Sequence, residues 1–276
     1  MSAPTIATVL AGAKAVGVDR LDAQLLLARA LACTRSWLLA HDDAGLDAPQ
    51  AARFSADLLR RARGEPLAYI LGEKEFHGLM LHVNASVLVP RPETETLVDW
   101  GLALMTGALS REPHPRVLDL GTGSGAIALA LKHSLPAARV VAVDVSPDAL
   151  VVAGRNALRL GLAIDFRRSN WWDDLDGQRF DLVVSNPPYI EPGDPHLLAL
   201  RHEPRIALTP DGDGLAALAA IVSGAGDHLE PGGWLLLEHG HDQAAQVTSM
   251  LTEHGFSDVR TLRDLAGQPR CTGACL

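Results

Sequence analysis

From Arg116 to the C-terminus, short apolar runs alternate with helical stretches, and this alternation limits the fold more than any other feature of the chain. The runs Val117–Leu120, Val140–Asp144, Ile164–Arg167, Leu182–Ser185, Trp234–Glu238 and Val259–Leu262 have the length and composition of strands. Between them, Ala126–His133, Pro147–Leu160, Gly214–His228 and Asp242–His254 carry helical periodicity. Strands separated by helices pair through crossovers, so the pattern predicts an α/β fold with a doubly wound, mostly parallel sheet. Aromatics are only 4% of the chain, so the core must rest on Leu, Val, Ile and Ala, as sheets buried on both faces do.

Upstream the texture differs. Leu21, Leu25, Leu26 and Leu31 recur at helical spacing behind a capping Asp19, and Ala51–Arg63 reads as an amphipathic helix ending at Gly64. From Pro66, glycines and Asn84 punctuate short runs, and Leu79, Leu81 and Val83 alternate with Met80 and His82 before Pro90–Arg91–Pro92. The spacing predicts a small N-terminal helical bundle over residues 1–75, a β-hairpin linker over 76–92, and an α/β domain over 93–276.

The densest motif is Val117-Leu118-Asp119-Leu120-Gly121-Thr122-Gly123-Ser124-Gly125, an apolar strand running into a glycine-rich turn with a helix beginning at Ala126. Glycines there let the backbone approach a ligand, and the helix N-terminus favours a negative group. Asp144 ends the next strand, where an acidic side chain meets ribose hydroxyls. Dinucleotide enzymes show G-x-G-x-x-G at this turn, whereas this chain has Gly-Thr-Gly-Ser-Gly. With Asp119 before it, the turn resembles the first motif of class I, Rossmann-like methyltransferases, which implies S-adenosylmethionine held by Gly121, Thr122, Gly123, Ser124, Gly125 and Asp144.

A second strand, from Phe180, delivers Asn186-Pro187-Pro188-Tyr189 at its C-terminal end, where open α/β sheets place their sites. The tetrapeptide resembles the signature of methyltransferases acting on planar nitrogens. An amide nitrogen is a poor nucleophile because its lone pair is delocalised. The Asn186 side-chain oxygen and the Pro187 carbonyl can accept its two N–H groups and aim the lone pair. Prolines 187 and 188 stiffen the turn, and Tyr189 can stack on a planar substrate. Asn186, Pro187 and Tyr189 are the candidate catalytic residues, with Pro188 completing the substrate site and Asn186 also bordering the cofactor. These residues alone leave open an adenine of DNA or RNA, a glutamine side chain, or a binding scaffold without turnover.

Two further strings carry a closer resemblance. Pro66-Leu67-Ala68-Tyr69-Ile70-Leu71-Gly72-Glu73-Lys74-Glu75-Phe76 and Val89-Pro90-Arg91-Pro92-Glu93-Thr94-Glu95 resemble the linker and domain-opening signatures of the HemK/PrmC protein-glutamine methyltransferases. The resemblance spans essentially the whole chain. It implies methylation of the glutamine in the Gly-Gly-Gln loop of class I peptide chain release factors, in the cytoplasm. It also implies that Trp171 lies near the adenine and that the helical domain helps to dock the release factor. The chain departs from the family pattern at Asn170-Trp171-Trp172, where an acidic residue often precedes the tryptophan, at His77, and at Arg201-His202-Glu203-Pro204.

Charge and cysteine content narrow the partners. Residues 1–75 carry nine Lys and Arg against nine Asp and Glu, and the remainder 15 against 24, so the formal charge of −9 falls entirely on the α/β part. That balance disfavours gripping long nucleic acid and leaves the adenine reading as the runner-up. Cys33, Cys271 and Cys275 make no disulfide framework, and no stretch approaches the roughly 18 apolar residues of a membrane helix. No signal peptide is expected. Glu238-His239-Gly240-His241-Asp242 lacks further ligands, so no metal is expected. The Arg60, Arg61, Arg63 cluster reads as a solvated helix face. With no apolar stripe left over, a monomer is expected.

Overall fold

Short polar side chains mark where the early helices begin. Thr5 accepts from the Thr8 amide at the start of α1 (Ile6–Ala15), and Asp19 accepts from the Leu21 amide at the start of α2 (Arg20–Leu31). Thr34 does the same for α3 (Arg35–Ala40), and Asp47 with Gln50 forms a capping box on α4 (Ala48–Ala62). A short α5 (Leu67–Leu71) ends at Gly72, which takes φ +80°. The computed structural model describes residues 3–210 and 212–276, and the chain divides into two compact units, Met1–Glu73 and Lys74–Leu276.

In the first unit Ile6, Leu26, Leu27, Leu38, Phe54 and Ile70 are fully buried. Leu21, counted on the apolar stripe from its spacing, is exposed; Leu27 takes the inward position. Arg60 pairs with Glu65 and Asp57, and Arg61 pairs with Asp22 at 2.6 Å.

A hairpin of β1 (Glu73–Phe76) and β2 (Leu79–His82) comes next in the chain, starting at Glu73 rather than at residue 76. A 3-10 turn at Pro92–Thr94 leads into α6 (Glu95–Thr106). Then follow β3 (Arg116–Leu120), α7 (Ala126–Ser134), β4 (Arg139–Asp144), α8 (Pro147–Leu160), β5 (Asp165–Arg168) and β6 (Phe180–Ser185). The chain finishes with α9 (Ala216–His228), β7 (Leu229–Glu238), α10 (Ala244–Glu253), β8 (Ser257–Arg263) and β9 (Pro269–Cys275).

The seven strands lie in the order β5-β4-β3-β6-β7-β9-β8, parallel from β5 to β7, with β9 antiparallel to both neighbours. Alternate residues serve opposite faces. Val117, Leu182 and Leu236 pack with α6 and α7, while Leu118, Val183 and Leu235 pack with α9 and α10. The strand order reverses at β3, so the C-terminal ends of β3, β4 and β6 bound the crevice where such sheets bind ligands.

Strand β9 is absent from the sequence reading, and its composition explains why. A Cβ on Gly273 would lie 2.3 Å from a Leu236 methyl and 2.7 Å from the Trp100 ring, so close packing demands small residues that lack a strand signature. No helix among the described residues is long and apolar enough to cross a membrane.

Candidate active site

The β3 strand ends in a turn that only glycine accommodates at its critical points. Gly121 and Gly125 take φ +72° and +83°, and a Cβ on Gly125 would press within 3.0 Å of Leu129. The Gly121 and Thr122 amides both donate to the Val143 carbonyl at 2.9 Å, pinning the turn to β4. Beneath it Asp119 is fully buried; its Oδ2 accepts from the Thr122 hydroxyl at 2.7 Å and the Ala128 amide at 3.2 Å. Burial pushes this carboxyl up to about 7. Its Oδ1 has no partner. Asp119 therefore shapes the turn from below and is sealed from the cavity's solvent.

Asp144 receives the Gly123 amide on Oδ2 and the Ser146 amide on Oδ1, each at 2.9 Å. Burial raises its pKa, with those amides pulling the other way. Each oxygen keeps a second lone pair for an outside donor. On α8, Asn156 is completely buried. It accepts the His82 amide at 2.7 Å and donates to the His82 and Ser124 carbonyls, tying hairpin, helix and glycine turn together.

These elements enclose one cavity of about 620 Å³. Gly121, Thr122, Gly123, Ser124, Asp144, Trp171, Asn186 and Pro188 all line it, so most sequence-derived candidates converge. Gly125 sits behind the turn as the residue preceding α7. The two tryptophans part company. Trp171, at φ +51°, borders the cavity, and its ring lies 3.5 Å from where a Gly121 Cβ would be. Trp172 turns outward, stacks on His228 at 4.7 Å and donates to the Ala220 carbonyl.

Pro187 is buried and Tyr189 half-buried, and neither borders the cavity. The Tyr189 hydroxyl instead donates to Glu238 Oε1 at 3.2 Å, and burial raises the phenol's pKa. Asn186 Nδ2 donates to Thr94 Oγ1 at 3.1 Å, turning the side-chain oxygen away from that partner. Glu238 is 1% exposed at the end of β7; burial lifts its carboxyl to about 7, against the Thr94 hydroxyl and the Arg270 charge. His239 next to it bonds Thr272 Oγ1 and the Gly240 carbonyl.

The remaining wall comes from two loops, Ser86–Arg91 and Pro204–Pro210. Buried Glu203 locks them together by accepting the Val89 amide at 3.0 Å and pairing with Arg91. Thr94, Asn156, Glu203 and Glu238 are the functional positions that motif reading passed over as such. Thr94, Glu203 and Glu238 lie within strings quoted above; Asn156 does not.

The N-terminal residues 6–72 match the PrmC N-terminal domain family, and residues 94–265 match the methyltransferase small domain family. A release factor glutamine methyltransferase of Xylella fastidiosa (strain Temecula1) is 49% identical over 262 residues, covering 94% of each chain. One from Burkholderia pseudomallei is 48% identical over 282 residues, covering 99% of this chain and 98% of the other. Among solved structures, a Pyrococcus furiosus methyltransferase superposes with TM-score 0.52 at 21% identity, over 72% of this chain and 88% of that one. A T. thermophilus 16S rRNA N2 G1207 methyltransferase gives 0.54 at 23%, over 74% and 49%. At these identities the structures speak for the fold, which is that of class I methyltransferases. Near-half identity along almost the entire length, with both family matches in order, establishes that this chain belongs to the release factor glutamine methyltransferase family.

Proposed function

We propose that this chain transfers a methyl group from S-adenosylmethionine to the side-chain amide nitrogen, N5, of the glutamine in the Gly-Gly-Gln motif of class I peptide chain release factors. The observation that carries the reading is a single cavity that joins a cofactor cradle to the Asn186 amide. The cradle fits the donor's parts. With the glycine-turn amides of Gly121, Thr122, Gly123 and Gly125 already bonded, the start of α7 at Ala126 and Ile127 offers backbone N–H groups to a carboxylate, Asp144 offers acceptors to ribose hydroxyls, and Trp171 offers a face to adenine. Bound there, S-adenosylmethionine supplies a methyl on a positively charged sulfur, already activated for transfer.

The protein's part is to orient the nucleophile. Asn186 Oδ1 accepts one N–H of the substrate amide from the cavity lining, and the carbonyl of Pro187, buried next to it in the chain, is assigned the other, which turns the lone pair toward the methyl. The nitrogen gains the methyl as the methyl carbon–sulfur bond breaks, the electron pair staying on sulfur to leave neutral S-adenosylhomocysteine, and the nitrogen gives up one proton to solvent. Tyr189, held through Glu238 outside the cavity lining, supports the tetrapeptide from behind in place of the stacking its ring type suggested. The adenine alternative is not favoured, because relatives covering the full chain are glutamine methyltransferases and the α/β part carries the whole net negative charge. The helical unit serves to dock the release factor, and one copy of the chain suffices.

Peptide mass spectrometry of a purified release factor incubated with the protein and S-adenosylmethionine tests this reading. One added methyl on the Gly-Gly-Gln glutamine, absent with Asn186→Ala, is expected. An unmodified release factor alongside a methylated adenine-containing duplex would move the activity to nucleic acid.

A further inference from the structure

Asn186 Nδ2 donates to Thr94 Oγ1, yet that contact alone does not select an orientation for the amide. A threonine hydroxyl can accept from Nδ2 or donate to Oδ1 equally well. The choice passes to whatever takes the Thr94 proton. Thr94 is 3% exposed, on the turn that enters α6, so water does not take it.

Glu238 stands opposite with a matching deficiency. Its Oε1 accepts the Tyr189 hydroxyl, whereas its Oε2 is buried with no hydrogen-bond partner among the described residues. The Thr94 hydroxyl acts on this carboxyl in favour of its charged form. An ionised carboxylate accepts only, so it imposes a direction on every hydroxyl that reaches it. A carboxylate at the end of a core strand is costly, and an apolar side chain would be the more stable occupant, so stability gives no reason for its presence.

We propose that Glu238 is a positioning residue: taking the Thr94 proton on Oε2 and the Tyr189 proton on Oε1, it obliges Asn186 to present Oδ1, not Nδ2, to the substrate amide. The inference rests on the reading that Asn186 holds that amide. Reversed, Asn186 would offer N–H donors to the substrate's own N–H donors, and the lone pair would lose its aim. The relay thus links both ends of the Asn186–Tyr189 tetrapeptide to one acid.

The test uses the full-length protein, a purified release factor and S-adenosylmethionine. Thr94→Val, which keeps the shape but removes the hydroxyl, and Glu238→Gln should each lower kcat at least about tenfold, the equivalent of about 1.4 kcal/mol. Calorimetric affinity for S-adenosylmethionine should stay within about twofold, and Thr94→Ser should bring kcat back to within about threefold of the native value. Groups whose charge reaches Glu238 are Arg270 and Cys271 on β9, Tyr189, and Glu93. Burial holds the Glu238 carboxyl up to about 7, so native kcat should fall as pH drops through that value, and the fall should vanish in Glu238→Gln. Native-like kcat in Thr94→Val and Glu238→Gln beside an inactive Asn186→Ala would overturn the relay and leave the amide-holding role standing. An active Asn186→Ala would instead remove the reading on which the relay rests.

Discussion

Replacing Asn156 by alanine should loosen the cofactor cradle without touching a cavity-lining side chain. Asn156 is 0% exposed and makes three hydrogen bonds, at 2.7 Å from the His82 amide, 3.0 Å to the His82 carbonyl and 2.9 Å to the Ser124 carbonyl. A net contribution of about 1 kcal/mol per bond gives about 3 kcal/mol, and stranding buried partners pushes the loss upward. Water entering the vacated space pulls it down, so a loss of about 2–4 kcal/mol brackets the expectation. Urea unfolding followed by circular dichroism reads this directly from the shift in midpoint. Because Ser124 belongs to the glycine turn, calorimetric affinity for S-adenosylmethionine should fall as well, by about fivefold if about one kcal/mol of the loss is felt there. A midpoint shift worth less than about 0.5 kcal/mol, with native affinity, would refute the claim that this side chain holds the hairpin, α8 and the turn together.

Three further outcomes follow from the geometry. Trp171→Ala should weaken S-adenosylmethionine binding about tenfold in calorimetry, whereas Trp172→Ala should leave it within about twofold and lower the unfolding free energy by about 2 kcal/mol. Gly125→Ala should cost about 2–3 kcal/mol in urea unfolding, because its φ is +83° and the new Cβ would lie 3.0 Å from Leu129 and 3.3 Å from Ala153. Asp119 and Glu238 have folded-state pKa values raised to about 7 from 3.8 and 4.5, so folding takes up protons at these sites. Their contribution is full below the unfolded values and is lost as pH rises through 7, by up to about 3–4 kcal/mol each. Unfolding free energies measured at pH 5.5 and 8 should therefore diverge less in Glu238→Gln than in the native chain.

The sheet and the cofactor turn were legible because their signals are local. Val117 through Ala126 contains a strand, three glycines at forced conformations and a helix start, each fixed by its own residue type. Asp144 was legible by its position at a strand end, and the structure aims its oxygens back at Gly123 and Ser146. Strand β9 was not, because packing against Trp100 and Leu236 selects Gly273 and its small neighbours over β-formers. The role of Tyr189 also escaped. Residue type suggested stacking on the substrate, but the hydroxyl's need for a buried partner draws it to Glu238 on another strand. Thr94, Asn156 and Glu203 act through partners distant in sequence, at Asn186, His82 and Val89 respectively. No spacing rule connects such pairs; only the folded sheet does. The two tryptophans are likewise separated by their neighbours, since His228 and Ala220 hold Trp172 while Trp171 lines the cavity.

In the proposed function Asn186, at the cavity, and the carbonyl of Pro187 behind it hold a substrate amide beside the glycine turn. A crystal structure of the protein with S-adenosylhomocysteine and a release factor would test it most directly. The Gly-Gly-Gln glutamine is expected at the cavity, its two amide N–H groups donating to Asn186 Oδ1 and the Pro187 carbonyl, with Thr94 still bonded to Asn186 Nδ2. A glutamine outside the cavity, or an Asn186 amide turned with Nδ2 toward the substrate, would contradict it.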